Sequence, residues 1–141
     1  MFVLDTDHFS LLEWGADAAR RNLLRRLSTI PPDEVFTTII TYEEQTRGWM
    51  AYAARARATA QQIKAYRKLE RHLDLYRHVQ VLGFDEHAGV SFERLKQSRL
   101  RIGTMDLKIA AIALAHGATL LTRNLKDFSR VPDLRVEDWT E

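Results

Sequence analysis

The sequence predicts an α/β fold, one domain over residues 1–141, with a mostly parallel central sheet flanked by helices and a helical hairpin insertion. Two observations predict it. Short apolar or β-branched runs alternate along the chain with stretches of helical periodicity, without an internal repeat. The stretch Ile102–Asn124 reads as a helix from near Asp106, a stop at Gly117 and a buried strand over Thr119–Thr122, which is an α-to-β connection.

In order, Met1–Leu4 is a short apolar strand ending in Asp5-Thr6-Asp7, residues that can begin a helix through Phe9, Leu11, Leu12 and Trp14 until Gly15. A second helix from about Asp17 turns Leu23, Leu24 and Leu27 inward, and Pro31-Pro32 ends it. Val35–Thr41 is rich in β-branched residues and forms the second strand. Thr41-Tyr42-Glu43-Glu44 matches a capping box, so a helix follows at once, with Glu44 in its first turn. Trp49–Leu82 lacks Gly and Pro and repeats apolar residues at steps of three and four. As one rod, Trp49–Arg77 would be about 43 Å long, against about 37 Å for the diameter of such a domain. A hairpin bent near Arg55–Ala60 is therefore expected. Val79–Leu82 is a third strand, Asp85 caps a helix over Glu86–Ser98, and the last strand lies near Leu134–Val136.

Composition narrows the function. Hydrophobic residues make up 45% and charged residues 28%, which are globular values. The absence of cysteine excludes disulfides, cysteine-based zinc sites and a thiol nucleophile. Asp5 and Asp7 interrupt the apolar start, so no signal peptide is expected. The longest apolar run, Ile109–Ala115, is far below the roughly 20 residues that span a bilayer. The expected location is cytoplasmic, with no membrane partner. Net charge is only +2, yet residues 47–77 hold eight basic and two acidic side chains, while residues 1–46 hold four basic and eight acidic. Such a block suits a polyanionic partner, or it is the solvated face of a helix.

In a parallel sheet, strand C-termini and helix N-termini share one edge, where ligands bind. Asp5, Glu44, Asp106 and Asn124 all fall on that edge, with Asp106 and Asn124 expected to face each other across one cleft. Singly, each has a plain explanation as a cap or a partner of the helix dipole. Three crowded carboxylates, however, repel and stay ionised only beside a cation. With no Cys or paired His among them, the donor set is hard oxygen and selects Mg²⁺ or Mn²⁺. A metal held by Asp5, Asp106 and Glu44 suits phosphodiester hydrolysis.

The motifs V-L-D-T-D, I-I-T-Y-E-E-Q-T-R-G, I-G-T-M-D-L-K-I-A-A and T-L-L-T-R-N-L-K-D-F resemble, in order and spacing, those of PIN-domain ribonucleases, and most closely VapC-type toxins of toxin–antitoxin pairs. The resemblance covers nearly the whole chain. It implies a PIN-like three-layer fold, Mg²⁺- or Mn²⁺-dependent endoribonuclease activity on RNA, a homodimer and a cognate antitoxin docking near the early helices and the hairpin. It assigns Asp5, Glu44 and Asp106 to the acidic positions and Asn124 to the fourth. Asp7 stands where many relatives have Asn, Glu43 doubles the acid before Glu44, and Asp127 is a rival for the fourth place, although it is expected to cap the turn before Phe128. Thr104 and Thr122 are candidates for orienting water or a phosphate oxygen. His8 is expected to be a partly exposed helix residue, and the other histidines lack metal spacing. Two other functions compete. Asp5-Thr6-Asp7 after a strand also resembles haloacid-dehalogenase-like phosphatases, with Asp5 as nucleophile, Asp7 as acid/base and Thr41 as a second motif. A non-catalytic nucleic-acid-binding module would use the basic hairpin alone.

Overall fold

The computed structural model describes residues 1–141. Five strands form one sheet: β1 (Phe2–Leu4), β2 (Val35–Thr38), β3 (Val81–Leu82), β4 (Thr119–Leu121) and β5 (Arg135–Glu137). Their order is β3-β2-β1-β4-β5, and every neighbouring pair is parallel, so the sheet is wholly rather than mostly parallel. The helices are α1 (Thr6–Trp14), α2 (Ala18–Leu27), α3 (Ile39–Arg55), α4 (Thr59–Tyr76), α5 (Glu86–Gln97), α6 (Thr104–Ala115) and α7 (Leu125–Phe128).

Strand pleating sends successive side chains to opposite faces, and this divides the core in two. Val3 and Leu120 point into the larger cluster, with Ile109, Ile112 and Phe128. Leu4 and Leu121 point the other way, onto Phe9, Leu23 and Trp139. The architecture is therefore three layers, helix on sheet on helix. Within α6, Leu107 and all of Ile109–Ala113 are buried, as expected of a helix apolar on every side. Small alanines let it approach the sheet, and Gly117, at φ +60°, turns the chain directly into β4.

The hairpin is confirmed: α3 ends at Arg55 and α4 begins at Thr59. The second strand, by contrast, is shorter than expected. It stops at Thr38, whose hydroxyl accepts the Thr41 N–H at 3.1 Å and caps α3. Thr41 is therefore not the head of a capping box, and Glu44 lies in the second turn of α3 rather than the first. The β-branched run Ile39-Ile40-Thr41 is helical because Ile40 and Thr41 are buried there, and packing overrides the preference for strand.

Candidate active site at the carboxyl edge of the sheet

Asp5 follows β1 and caps α1. Its carboxylate accepts the Thr6 N–H at 2.7 Å and the Thr122 hydroxyl at 2.8 Å. Thr122 is delivered by β4, because Leu4 and Leu121 are paired in the neighbouring strands. Asp5 is only 5% exposed. Burial, with the nearby charge of Asp7, pushes its pKa up to about 7, against the two hydrogen bonds, and Asp106 adds to the rise.

Glu44 and Glu43 diverge, as adjacent helical residues must. Glu43 pairs with exposed Arg47 at 2.6 Å. Glu44 is half-buried, and its Oε1 is enclosed without a hydrogen-bond partner. Burial raises its pKa, the Thr6 hydroxyl partly opposes this, and Asp106 and Glu43 raise it further. Asp106 sits in the first turn of α6, which begins two residues earlier than expected, and is raised by burial and by Asp127 and Asp7. The charge of Asp106 thus bears on both Asp5 and Glu44, and the three acids share one field.

Asn124 reaches the same edge with a different task. It caps α7: its Oδ1 accepts the Asp127 N–H at 3.4 Å, its Nδ2 donates to Asp127 Oδ2 at 3.1 Å, and its own N–H donates to Thr122 at 3.0 Å. The amide is turned to Asp127, and Asp127 is the group whose charge reaches Asp106. The expectation that Asp127 caps the turn is reversed, since Asn124 does so. Thr122 is likewise committed to Asp5, while Thr104 is exposed.

His8 corrects another expectation, being fully buried. Its Nε2 accepts the Trp139 N–H at 3.1 Å, which leaves Nδ1 to donate to Asp7 Oδ1 at 2.9 Å. The other oxygen of Asp7 accepts the Arg123 N–H at 3.0 Å. Asp7 is therefore a fixed member of the acidic set, tied through His8 to the C-terminal segment. The D-x-D spacing signalled Asp7; nothing local signalled the partner of His8, which is 131 residues away.

A divalent cation fits this donor set. Five carboxylates supply only hard oxygen, three have raised pKa values, and Glu44 keeps an unpartnered buried oxygen. No three of them are drawn together into a ready-made cage.

The family profile described as PIN domain matches residues 2–134. The chain belongs to the PIN domain family. This PIN domain is 34% identical over 113 residues, 79% of each chain, to Ribonuclease VapC1 of Haemophilus influenzae (strain R2866). Over 65 residues, 43% of this chain and 49% of the relative, it is 34% identical to the tRNA(fMet)-specific endonuclease VapC of Salmonella typhimurium (strain LT2). The solved structure of VapBC-1 from nontypeable H. influenzae matches with a TM-score of 0.74 and 28% identity, covering 99% of this chain and 98% of that one. FitAcB from Neisseria gonorrhoeae shares the fold, with a TM-score of 0.74, 22% identity and coverage of 98% and 97%. The phosphatase reading loses its second motif in this PIN domain, because Thr41 lies inside α3, bonded to Thr38 and Thr6, and not at the end of β2.

Proposed function

We propose that the chain is a Mg²⁺- or Mn²⁺-dependent endoribonuclease and the toxin of a toxin–antitoxin pair, acting on cytoplasmic RNA, held in check by a cognate antitoxin and working as a homodimer. The observation that carries this reading is the PIN-domain match over residues 2–134, and it is supported by Asp106, whose charge acts on both Asp5 and Glu44. Relatives named as VapC ribonucleases and the VapBC-1 structure support it.

In this reading Asp5, Asp106 and Glu44 would hold the metal, which when bound would supply Lewis-acid activation of water and charge neutralisation at the phosphate. Thr122 and the Thr6 N–H fix the carboxylate of Asp5. Glu44, with one oxygen free, accepts a hydrogen bond from the attacking water and takes up its proton. Asp127 carries the fourth negative charge, and Asn124 positions it. Exposed Arg55, Arg57, Lys64 and Arg67 hold the RNA backbone. The bond between phosphorus and the 3′-oxygen breaks, the leaving oxygen takes a proton from solvent water, and the products are a 5′-phosphate and a 3′-hydroxyl.

The two adjacent glutamates give the test. Glu44→Gln should lower kcat at least about a hundredfold, whereas Glu43→Gln, which loses only a surface ion pair, should stay close to the parent. Cleavage of RNA with Mg²⁺ or Mn²⁺ is the assay. A dead Glu43→Gln beside a normal Glu44→Gln would overturn the assignment, and full activity in EDTA would remove the metal.

A further inference from the structure

Next to the acidic edge, α1 and α3 enclose a groove of about 460 Å³. It is lined from Thr6 and Glu44, past Gly48, Trp49 and Tyr52, to Arg55, with Trp14 contributed by α1. Glu44, Gly48, Tyr52 and Arg55 follow steps of four, four and three, so they share one face of α3. A second hollow of about 280 Å³ shares Tyr52 and Arg55 and adds Lys64. The groove therefore begins at Glu44, passes the aromatic rings and, beside Trp14, the Glu13 carboxylate, whose oxygens are buried without a hydrogen-bond partner, and ends in positive charge at Arg55.

Two features indicate that the aromatic part receives a flat group. Gly48 lies inside a 17-residue helix, where glycine is unfavourable, yet a Cβ there would meet nothing within 4 Å. Packing does not require the glycine; its bare backbone leaves the groove wall open. The rings are also held in place from α4. Lys68 Nζ lies 5.0, 5.1 and 5.3 Å from the centroids of Trp14, Trp49 and Tyr52, and the Arg71 guanidinium lies 4.2 Å from that of Trp14. Neither cation lines the groove, so both fix the rings without filling it.

We propose that this groove is a nucleobase subsite, in which an unpaired base of the RNA lies over Gly48 against Trp49, Tyr52 and Trp14, with an adjoining phosphate at Arg55 and Lys64. The inference rests on the ribonuclease reading and adds a requirement for single-stranded RNA beside the cleaved bond. Every base presents a π-face to an aromatic wall, and each is followed by an anion, which matches rings followed by Arg and Lys.

The test is equilibrium binding of the whole protein, in EDTA, to fluorescein-labelled single-stranded RNA oligonucleotides and to the same strands carrying abasic positions. Removing the stacked base should weaken binding about tenfold. Gly48→Ala should weaken binding of the intact strand by a similar factor while its Tm stays equal to the parent's or rises. Trp49→Leu should also weaken binding, and Trp49→Phe should restore it to within about threefold. If Gly48→Ala binds intact and abasic strands as the parent does, the groove serves a protein partner or nothing, and the proposal falls; Gly48→Ala decides alone if Trp49→Leu does not fold. Cleavage with Mg²⁺ is scored separately. Groove-dependent binding without cleavage would sink the ribonuclease reading and keep the subsite, and cleavage with groove-independent binding would do the reverse.

Discussion

Asp5 meets opposing demands. Burial and like charges favour its protonated form, while the Thr122 hydroxyl and Thr6 N–H favour the carboxylate, and the balance lies at about 7. An unfolded aspartate titrates near 3.8. Because the folded value is the higher one, the folded state binds the proton more tightly. Stability from this group is therefore fully present below about pH 4 and is lost as pH rises towards 7. The displacement corresponds to roughly 4 kcal/mol at neutral pH, and Glu44 and Asp106 shift in the same direction. The metal-free protein should have a lower Tm at pH 7.5 than at pH 5, and Asp5→Asn should remove most of that loss. Thermal scans in EDTA at both pH values check this, and a Tm for Asp5→Asn below the parent's at pH 7.5 would contradict it. At this scale the sequence displayed the acids, because strand ends and helix starts mark the edge. It could not display Thr122 as the donor to Asp5 or Trp139 as the donor to His8, since those bonds join residues 117 and 131 apart.

Helix α3 carries Glu44 into the site, so its starting point matters chemically. Thr38 caps it and is fully buried. Thr38→Ala should cost about 1 kcal/mol and lower kcat, because the turn bearing Thr41 and Glu44 loses its anchor. Thr38→Ser keeps the oxygen and should restore both. Urea unfolding and RNA cleavage measure the two effects; an undiminished kcat in Thr38→Ala would show that the cap does not hold Glu44. The elements themselves were legible, because alternation and three-to-four spacing mark strands and helices directly. The boundary at Thr38 was not, since Thr41 and Glu44 offer an equally good local capping pattern and only burial chooses between them. The bend between α3 and α4 was legible too, because Trp49–Arg77 is too long for one helix to fit the domain. The sequence did not indicate that Lys68, in the basic block, is drawn over three aromatic rings.

Across the whole molecule, the first and last segments meet at the site. The Trp139 N–H fixes His8, Asn22 donates to the Thr140 carbonyl, and Phe2 packs on Trp139 at 4.9 Å between ring centroids. Removing residues 138–141 should lower Tm by several degrees and reduce kcat more than KM, because Asp7 loses the group that holds its partner. His8→Phe, which keeps the tail but not the hydrogen bonds, should reproduce the loss of kcat. Steady-state cleavage by both variants decides, and a normal kcat in each would leave the tail a packing role only. The strand order has a further consequence, in biosynthesis. The central strand β1 is made before the other four, but its neighbour β4 is made only after β2 and β3. Thr122 follows Asp5 by 117 residues, which at about 5–20 residues per second is a wait of roughly 6–23 s. Throughout that interval the growing chain lacks one side of its sheet and the hydroxyl that orients its first carboxylate. An RNA-cleaving chain built in this order should stay inert towards the message being translated at least until Thr122 has been made.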